Sequence, residues 1–245
     1  MKIGIVAMSA KPFHAGHDSL IKFAAGHEIL ESLVKLGFSK QENDKVNVYV
    51  SYSSRGVKQR TKTIRGVKHK YEEPIQGEAP IFGEDMEYIW DNILTAENLQ
   101  YTGTNVDIFT PNMTGIRSPV TAGFKVADAF RDAFFQAELQ ESRGEIPITT
   151  WIDPITNIEY DIDDTEINFY CGEDDLNRYN VQLMERLYGE LFTNDIINVI
   201  GIPRVVSISG TQMREYLCNG DIQELKQMLP ISLNEVNKQL IIDIL

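Results

Sequence analysis

Short apolar runs that alternate with segments of helical period constrain this chain more than any other feature. Lys2 to Met8, Lys45 to Tyr52, Val106 to Phe109, Ile167 to Cys171 and Ile197 to Ile202 read as strands. Between them Asp18 to Leu36, Gly83 to Leu94 and Ala122 to Leu139 read as helices. Met86, Ile89, Trp90 and Ile93 recur at helical spacing, as do Phe124, Ala127, Phe130 and Phe134, whose rings suit a core face. Another helix is expected from the Gly172 turn through Leu191, another over Thr211 to Cys218, and a helical tail over Asp221 to Leu245, interrupted by Pro230. Strands separated by helices predict an α/β fold with a parallel sheet flanked by helices.

Residues 141 to 166 break the alternation and read as an insertion. Trp151 to Tyr160 has the pattern of a hairpin with its turn near Pro154 to Asn157. The acids around it alternate with apolar residues, as on an exposed hairpin face, rather than at metal-ligand spacing. At 245 residues, 42% apolar and 24% charged, the chain can bury one core or a core with an appendage. The simplest division is one domain over 1–220, with the insertion inside it, and a tail over 221–245 packed on the same domain.

Two segments carry chemistry. Lys11-Pro12-Phe13-His14-Ala15-Gly16-His17 follows the first strand and sets two histidines three apart around a glycine, where an α/β sheet places phosphates. The glycine admits close backbone approach, and the helix start beyond it offers N–H groups and a positive dipole end to an anion. The competing reading makes one histidine a helix cap and packs the other on the sheet. Ser207-Ile208-Ser209-Gly210-Thr211-Gln212-Met213-Arg214 follows the last strand after a Pro203 break. Ser209 and Thr211 suit helix caps, and Arg214 falls on the first turn, aimed at whatever the N–H groups hold.

Together these segments resemble the nucleotidylyltransferase superfamily, whose members carry His-x-Gly-His after the first strand and Ile-Ser-x-Thr-x-x-Arg before a late helix. The matches are His14-Ala15-Gly16-His17 and Ile208 to Arg214, and the likeness spans residues 1 to about 220. The Ser-Gly-Thr form and the Lys-Pro-Phe-His opening look most like the archaeal and phage branches, which include nicotinamide mononucleotide adenylyltransferases. Ser9 and Ala10 depart from those relatives, which place an arginine and an aromatic there.

The resemblance implies a Rossmann-like sheet and transfer of a nucleoside monophosphate, most readily AMP from ATP, to a small phosphorylated acceptor with release of pyrophosphate. It implies His14 and His17 at the reacting phosphate, Lys11 at the β- or γ-phosphate, and Ser209, Gly210, Thr211 and Arg214 at the departing pyrophosphate. Ser9, Phe13 and Gly16 complete the first loop. Gly172-Glu173-Asp174 matches the superfamily's strand-ending Gly-x-Asp, with Gly172 and Asp174 beside the nucleotide and Asp174 alternatively a helix cap. Magnesium is implied as a companion of the triphosphate, with no dedicated protein ligands. Cytidylyl transfer to a phosphorylated alcohol stays open, as does a nucleotide-binding protein without catalysis.

The net charge of −13 argues against general nucleic-acid binding, because phosphate repulsion has to be overcome locally. Arg55 to Lys70 runs against that balance with seven cations (Arg55, Lys58, Arg60, Lys62, Arg65, Lys68 and Lys70) and no acid. It reads as a basic loop that closes over triphosphate, as a solvated loop, or as a docking site for a nucleic-acid partner. The insertion suits a cover over the acceptor pocket or a contact in a homo-oligomer. Cys171 and Cys218 form neither a disulfide framework nor a metal motif, so both read as small buried hydrophobes in a reducing cytoplasm. With no apolar run of membrane length, neither a signal peptide nor a membrane span is expected.

Overall fold

The computed structural model describes residues 1–26, 31–101, 103, 105–203 and 208–245. Along the chain run β1 (Lys2–Ala7), α1 (Ala15–Ala24), α2 (Glu31–Lys35), β2 (Lys45–Tyr49), β3 (Val57–Ile64), β4 (Val67–Pro74), α3 (Gly83–Asn92), β5 (Val106–Phe109), α4 (Pro111–Thr114) and α5 (Pro119–Ser142). They are followed by β6 (Thr150–Ile152), β7 (Glu159–Asp161), β8 (Glu166–Gly172), a 3-10 helix (Glu173–Tyr179), α6 (Val181–Tyr188), α7 (Glu190–Thr193), β9 (Ile197–Ile202), α8 (Gly210–Asn219), α9 (Ile222–Met228) and α10 (Glu235–Ile244). The chain divides into two compact units. One comprises Met1–Met8, Ser19–Val50 and Thr102–Val205, and the other Ser9–Asp18, Ser51–Tyr101 and Val206–Leu245.

The first unit holds a five-stranded sheet in the order β5-β2-β1-β8-β9, every neighbouring pair parallel. The α/β expectation therefore holds, and the strand order is Rossmann-like: the chain winds outward from β1 to β5, then returns to β1's other side for β8 and β9. β1 and β8 are buried along their centres, as strands covered on both faces must be. α5 covers β1 and β2. A side chain at Gly123 would start 2.9 Å from Ile5 Cγ2 and 3.3 Å from Phe169, so glycine sets how closely this helix approaches the sheet. Phe130, Val126 and Ala127 are fully buried there and Phe124 and Phe134 pack at the margin, so the aromatics of the predicted face line the core, whereas Phe135 of the same helix is exposed.

A chain of buried amides crosses the same unit. Asn43 donates to Ala24 O (2.8 Å) and to the Tyr170 hydroxyl (2.7 Å), Asn168 donates to Asn43 Oδ1 (3.1 Å), and Asn198 donates to Asn168 Oδ1 (3.0 Å). The insertion forms the expected hairpin, with β6 and β7 antiparallel and Trp151 opposite Tyr160. Its turn closes on Asn157 at φ 57, a conformation asparagine tolerates. Asp153 departs from the exposed-face expectation. It is fully buried, and its Oδ1 accepts the N–H groups of Ile155 (2.7 Å) and Thr156 (3.3 Å), which holds the turn.

Two helix expectations change. The first helix begins at Ala15 rather than Asp18 and stops at Ala24, because Gly26 at φ 72 turns the chain where a Cβ would lie 2.4 Å from Gln41 O. The chain is helical again from Glu31 to Lys35, and the part of the expected helix over 27–30 lies outside the described residues. The helix expected through Leu191 is three pieces, since Asn180 caps α6 by accepting the Leu183 N–H (3.0 Å) and Gly189 at φ 50 ends it. The tail is helical, α9 and α10, with Pro230 between them.

The second unit packs α3 through Met86, Ile89 and Trp90 and contains α8 to α10. The basic segment is not a loop there. β3 and β4 form an antiparallel ribbon from Val57↔Pro74 to Ile64↔Val67, with Arg65 and Gly66 as a two-residue turn, both at positive φ. Among the described residues no helix is long and apolar enough to cross a membrane.

Candidate functional site

His14 and His17 build the start of α1 between them. The His14 carbonyl accepts the N–H groups of His17 (2.9 Å) and Asp18 (3.2 Å), which makes His14 the residue that caps the helix. Its Nδ1 accepts the Gly16 N–H at 3.1 Å, and His17 Nδ1 accepts the His14 N–H at 3.3 Å. This is a reciprocal capping box with imidazoles in place of the usual hydroxyl and carboxylate, and the box requires the spacing of three. With Nδ1 accepting in both rings, each neutral imidazole carries its proton on Nε2. The rings lie 3.8 Å apart between centroids at 31°. Both histidines take part in the cap, so the competing reading holds in its capping part.

Gly16 lets this geometry form without displacing the ring. A Cβ there would lie 3.0 Å from both Cε1 and Nδ1 of His14, so the glycine makes room for a protein ring. Phe13, 2% exposed, stacks on His17 (5.7 Å between centroids, 17°) and meets Trp90 edge-on at 5.2 Å. Its contacts hold the His17 ring in place. One residue beyond, buried Asp18 accepts the Tyr101 hydroxyl at 2.6 Å, and burial followed by the Asp18 charge pushes that phenol well above its ordinary pKa. Asp18 adds a negative charge to the positive end of α1.

Ser209 takes the cap expected of it, accepting the Gln212 N–H at 3.1 Å, whereas α8 begins at Gly210, so Thr211, the other cap candidate, lies inside the helix and Arg214 stands just past its first turn. Arg214 Nη1 donates to the Lys11 carbonyl at 3.3 Å across 203 residues of sequence, and Nη2 donates to Thr211 Oγ1 at 3.2 Å. Gly210 lets α8 begin against the first loop, because a Cβ there would lie 3.1 Å from Lys11 O. Ser207 lies outside the described residues.

Charges of both signs act on Arg214. Partial burial, then the like charge of Arg55, lowers the Arg214 pKa, with Glu78 and Glu215 acting the other way. Lys11, only 9% exposed, is a further cation on the first loop. Arg55 was legible only as one of seven cations in the basic segment. It pairs with Ile81 through an isolated bridge (Arg55 N–H to Ile81 O 2.8 Å, Ile81 N–H to Arg55 O 2.9 Å) and its charge acts on Arg214, and no local sequence signal announces either.

Ser9, Lys11, Phe13, His14, Gly16, His17, Ser209, Gly210, Thr211 and Arg214 thus belong to one unit. Gly172 and Asp174 belong to the sheet unit, at the end of β8 and in the 3-10 helix that follows; Gly172, not Asp174, occupies the capping position. Ser118 and Pro119 start α5 as an ordinary capped helix, with Ser118 Oγ accepting the Thr121 N–H. Among the described residues no group of three or more His, Cys, Asp or Glu is gathered as metal ligands. Cys171 is buried and its thiol is pushed up to about 11, chiefly by burial, whereas Cys218 is exposed on the last turn of α8, against the expectation that both are buried. The chain matches no protein-family model, and none of the curated proteins matches it.

Proposed function

We propose that this chain is a nucleotidylyltransferase that moves AMP from ATP to a small phosphorylated acceptor of the nicotinamide mononucleotide kind. The observation that carries the reading is the meeting of the two motifs: Arg214 and Gly210 at the start of α8 abut the Lys11 carbonyl of the loop that leads into the His14–His17 cap. Two helix starts in one unit, each with capping side chains and with Lys11, Arg55 and Arg214 as cations, suit a chain of phosphates better than a single anion.

In this mechanism an acceptor phosphate oxygen attacks the α-phosphorus in line. The new P–O bond forms as the bond from the α-phosphorus to the bridging oxygen breaks, and that oxygen leaves with pyrophosphate. The reaction needs placement and charge stabilisation rather than a covalent enzyme intermediate. Both imidazoles, oriented through Nδ1, donate from Nε2 to phosphate oxygens as charge grows on them. Arg214 and Lys11 neutralise the pyrophosphate end, Ser209 and Thr211 fix the start of α8, and Ser9 faces the acceptor. Magnesium arrives as part of the substrate, bound to triphosphate oxygens and water.

The test is pyrophosphate release across a grid of nucleoside triphosphates and acceptors, including nicotinamide mononucleotide, phosphocholine, glycerol phosphate and phosphopantetheine. Release with ATP and a mononucleotide acceptor is the expected result. Release with CTP and a phosphorylated alcohol would move the assignment to cytidylyl transfer, and silence over the whole grid would leave a nucleotide-binding protein without catalysis.

A further inference from the structure

The β3–β4 ribbon serves no core. Of its sixteen strand positions nearly all are exposed, and a two-stranded ribbon without an apolar face is marginal in water. Its register shows what the linear sequence hides. Lys58, Arg60, Lys62 and Ile64 share one face with their partners Glu73, Tyr71, His69 and Val67, so Tyr71, 47% exposed, stands directly across from Arg60 in mid-ribbon. The other face carries Gln59, Thr61 and Thr63 opposite Glu72, Lys70 and Lys68.

The two acids are tied at the base, Glu73 to Arg60 at 2.7 Å and Glu72 to Ser54 and Gln59. Lys58, Lys62, Arg65, Lys68 and Lys70 are exposed, and none of them is paired with an acid among the described residues. Arg65 occupies the turn at φ 49, a conformation for which glycine or asparagine is the easy choice, so the tip keeps a cation at some conformational cost.

We propose that this ribbon binds a single-stranded polynucleotide, whose phosphates run along Lys58 and Lys62 on the Tyr71 face, round the Arg65 turn and back along Lys68 and Lys70 on the other face, while a base stacks on Tyr71. Eight residues per strand span about 27 Å, longer than one triphosphate and enough for several nucleotides. The cations do not stop at the tip around Ile64 and Val67 but continue through Lys70 to Lys58 near the base, which favours a polynucleotide over an anionic bilayer met by the tip alone. The overall charge of −13 opposes such a partner only at long range, whereas the ribbon sets the potential at contact.

The test is fluorescence anisotropy of a labelled 20-nucleotide oligothymidylate with the full chain, over a salt series. Five phosphate contacts predict a slope of log affinity on log salt of about −3.5, or roughly a hundredfold weakening between 50 and 200 mM. Lys62→Ala, Lys68→Ala and Lys70→Ala together are expected to reduce that slope by about 2. Tyr71→Ala is expected to weaken binding about tenfold at unchanged slope. These sites are exposed, and an unchanged melting temperature checks that the fold is kept. The proposal is overturned by no binding at 50 mM salt, by a slope the triple variant leaves unmoved, or by tighter binding to a duplex or to phosphatidylserine vesicles. It is equally overturned if the triple variant weakens magnesium ATP and leaves the oligonucleotide alone. None of these readouts depends on nucleotidylyl transfer.

Discussion

Gly16→Ala separates the capping role of His14 from its proposed chemical role. The added methyl would start 3.0 Å from Cε1 and Nδ1 of His14, where ordinary contact begins near 3.4 Å, so the ring is displaced by roughly half an ångström. Displacement weakens the bond from the Gly16 N–H to His14 Nδ1, now 3.1 Å, and loss of a cap costs about 1 kcal/mol. Replacing glycine by alanine inside a helix returns up to about 1 kcal/mol. The two effects nearly cancel, so urea denaturation is expected to place the variant within about 1 kcal/mol of the parent. Turnover should behave differently, because misplacing a reacting group by a fraction of an ångström to 1 Å lowers rates by roughly tenfold to a hundredfold. Pyrophosphate release and unfolding measured on the same preparation read both. Full turnover at unchanged stability would refute the role of His14 at the phosphate, and a stability loss above about 3 kcal/mol would refute the capping account.

Other consequences follow from separate parts of the molecule. Asn168→Ala removes the middle of the buried amide chain and leaves Asn43 Oδ1 and the Asn198 amide without that partner, so a loss of about 2–3 kcal/mol is expected in urea denaturation. At pH 8 a thiol reagent should label Cys218 rapidly and Cys171 only on unfolding; rapid labelling of two thiols in the native protein would contradict the burial of β8. Because the folded Cys171 pKa is raised to about 11, its contribution to stability is complete below the ordinary thiol pKa of about 8.5 and is lost as pH rises toward 11. A Cys171→Val variant should therefore show a shallower fall of stability over that window than the parent.

The sheet could be read from the chain because its central strands are covered on both faces: Ile3 to Val6 and Ile167 to Cys171 have to be apolar nearly throughout, and helices have to separate them for the strands to be parallel. The β6–β7 hairpin was legible from its turn residues for a similar reason. The ribbon was not, since Arg65-Gly66 is an unusual turn pair and solvent on both faces erases the alternation that marks a half-buried strand. Likewise the reciprocal cap of the histidine pair was hidden because imidazoles replace the hydroxyl and carboxylate by which such boxes are recognised. Arg55 and Arg214 lie far apart in the chain, so only folding reveals that the charge of one acts on the other.

The most direct measurement follows the α-phosphate itself. ATP labelled at the α-phosphorus is incubated with magnesium and nicotinamide mononucleotide, in parallel for the parent, for His17→Ala and for His17→Gln, whose amide can still close the cap onto the His14 N–H. The account predicts label in a dinucleotide product with equimolar pyrophosphate for the parent, and loss of nearly all transfer in both variants, with His17→Gln retaining the parent's stability. Transfer at the parent's rate in His17→Gln, or label that stays in ATP with every acceptor of the grid, would contradict it.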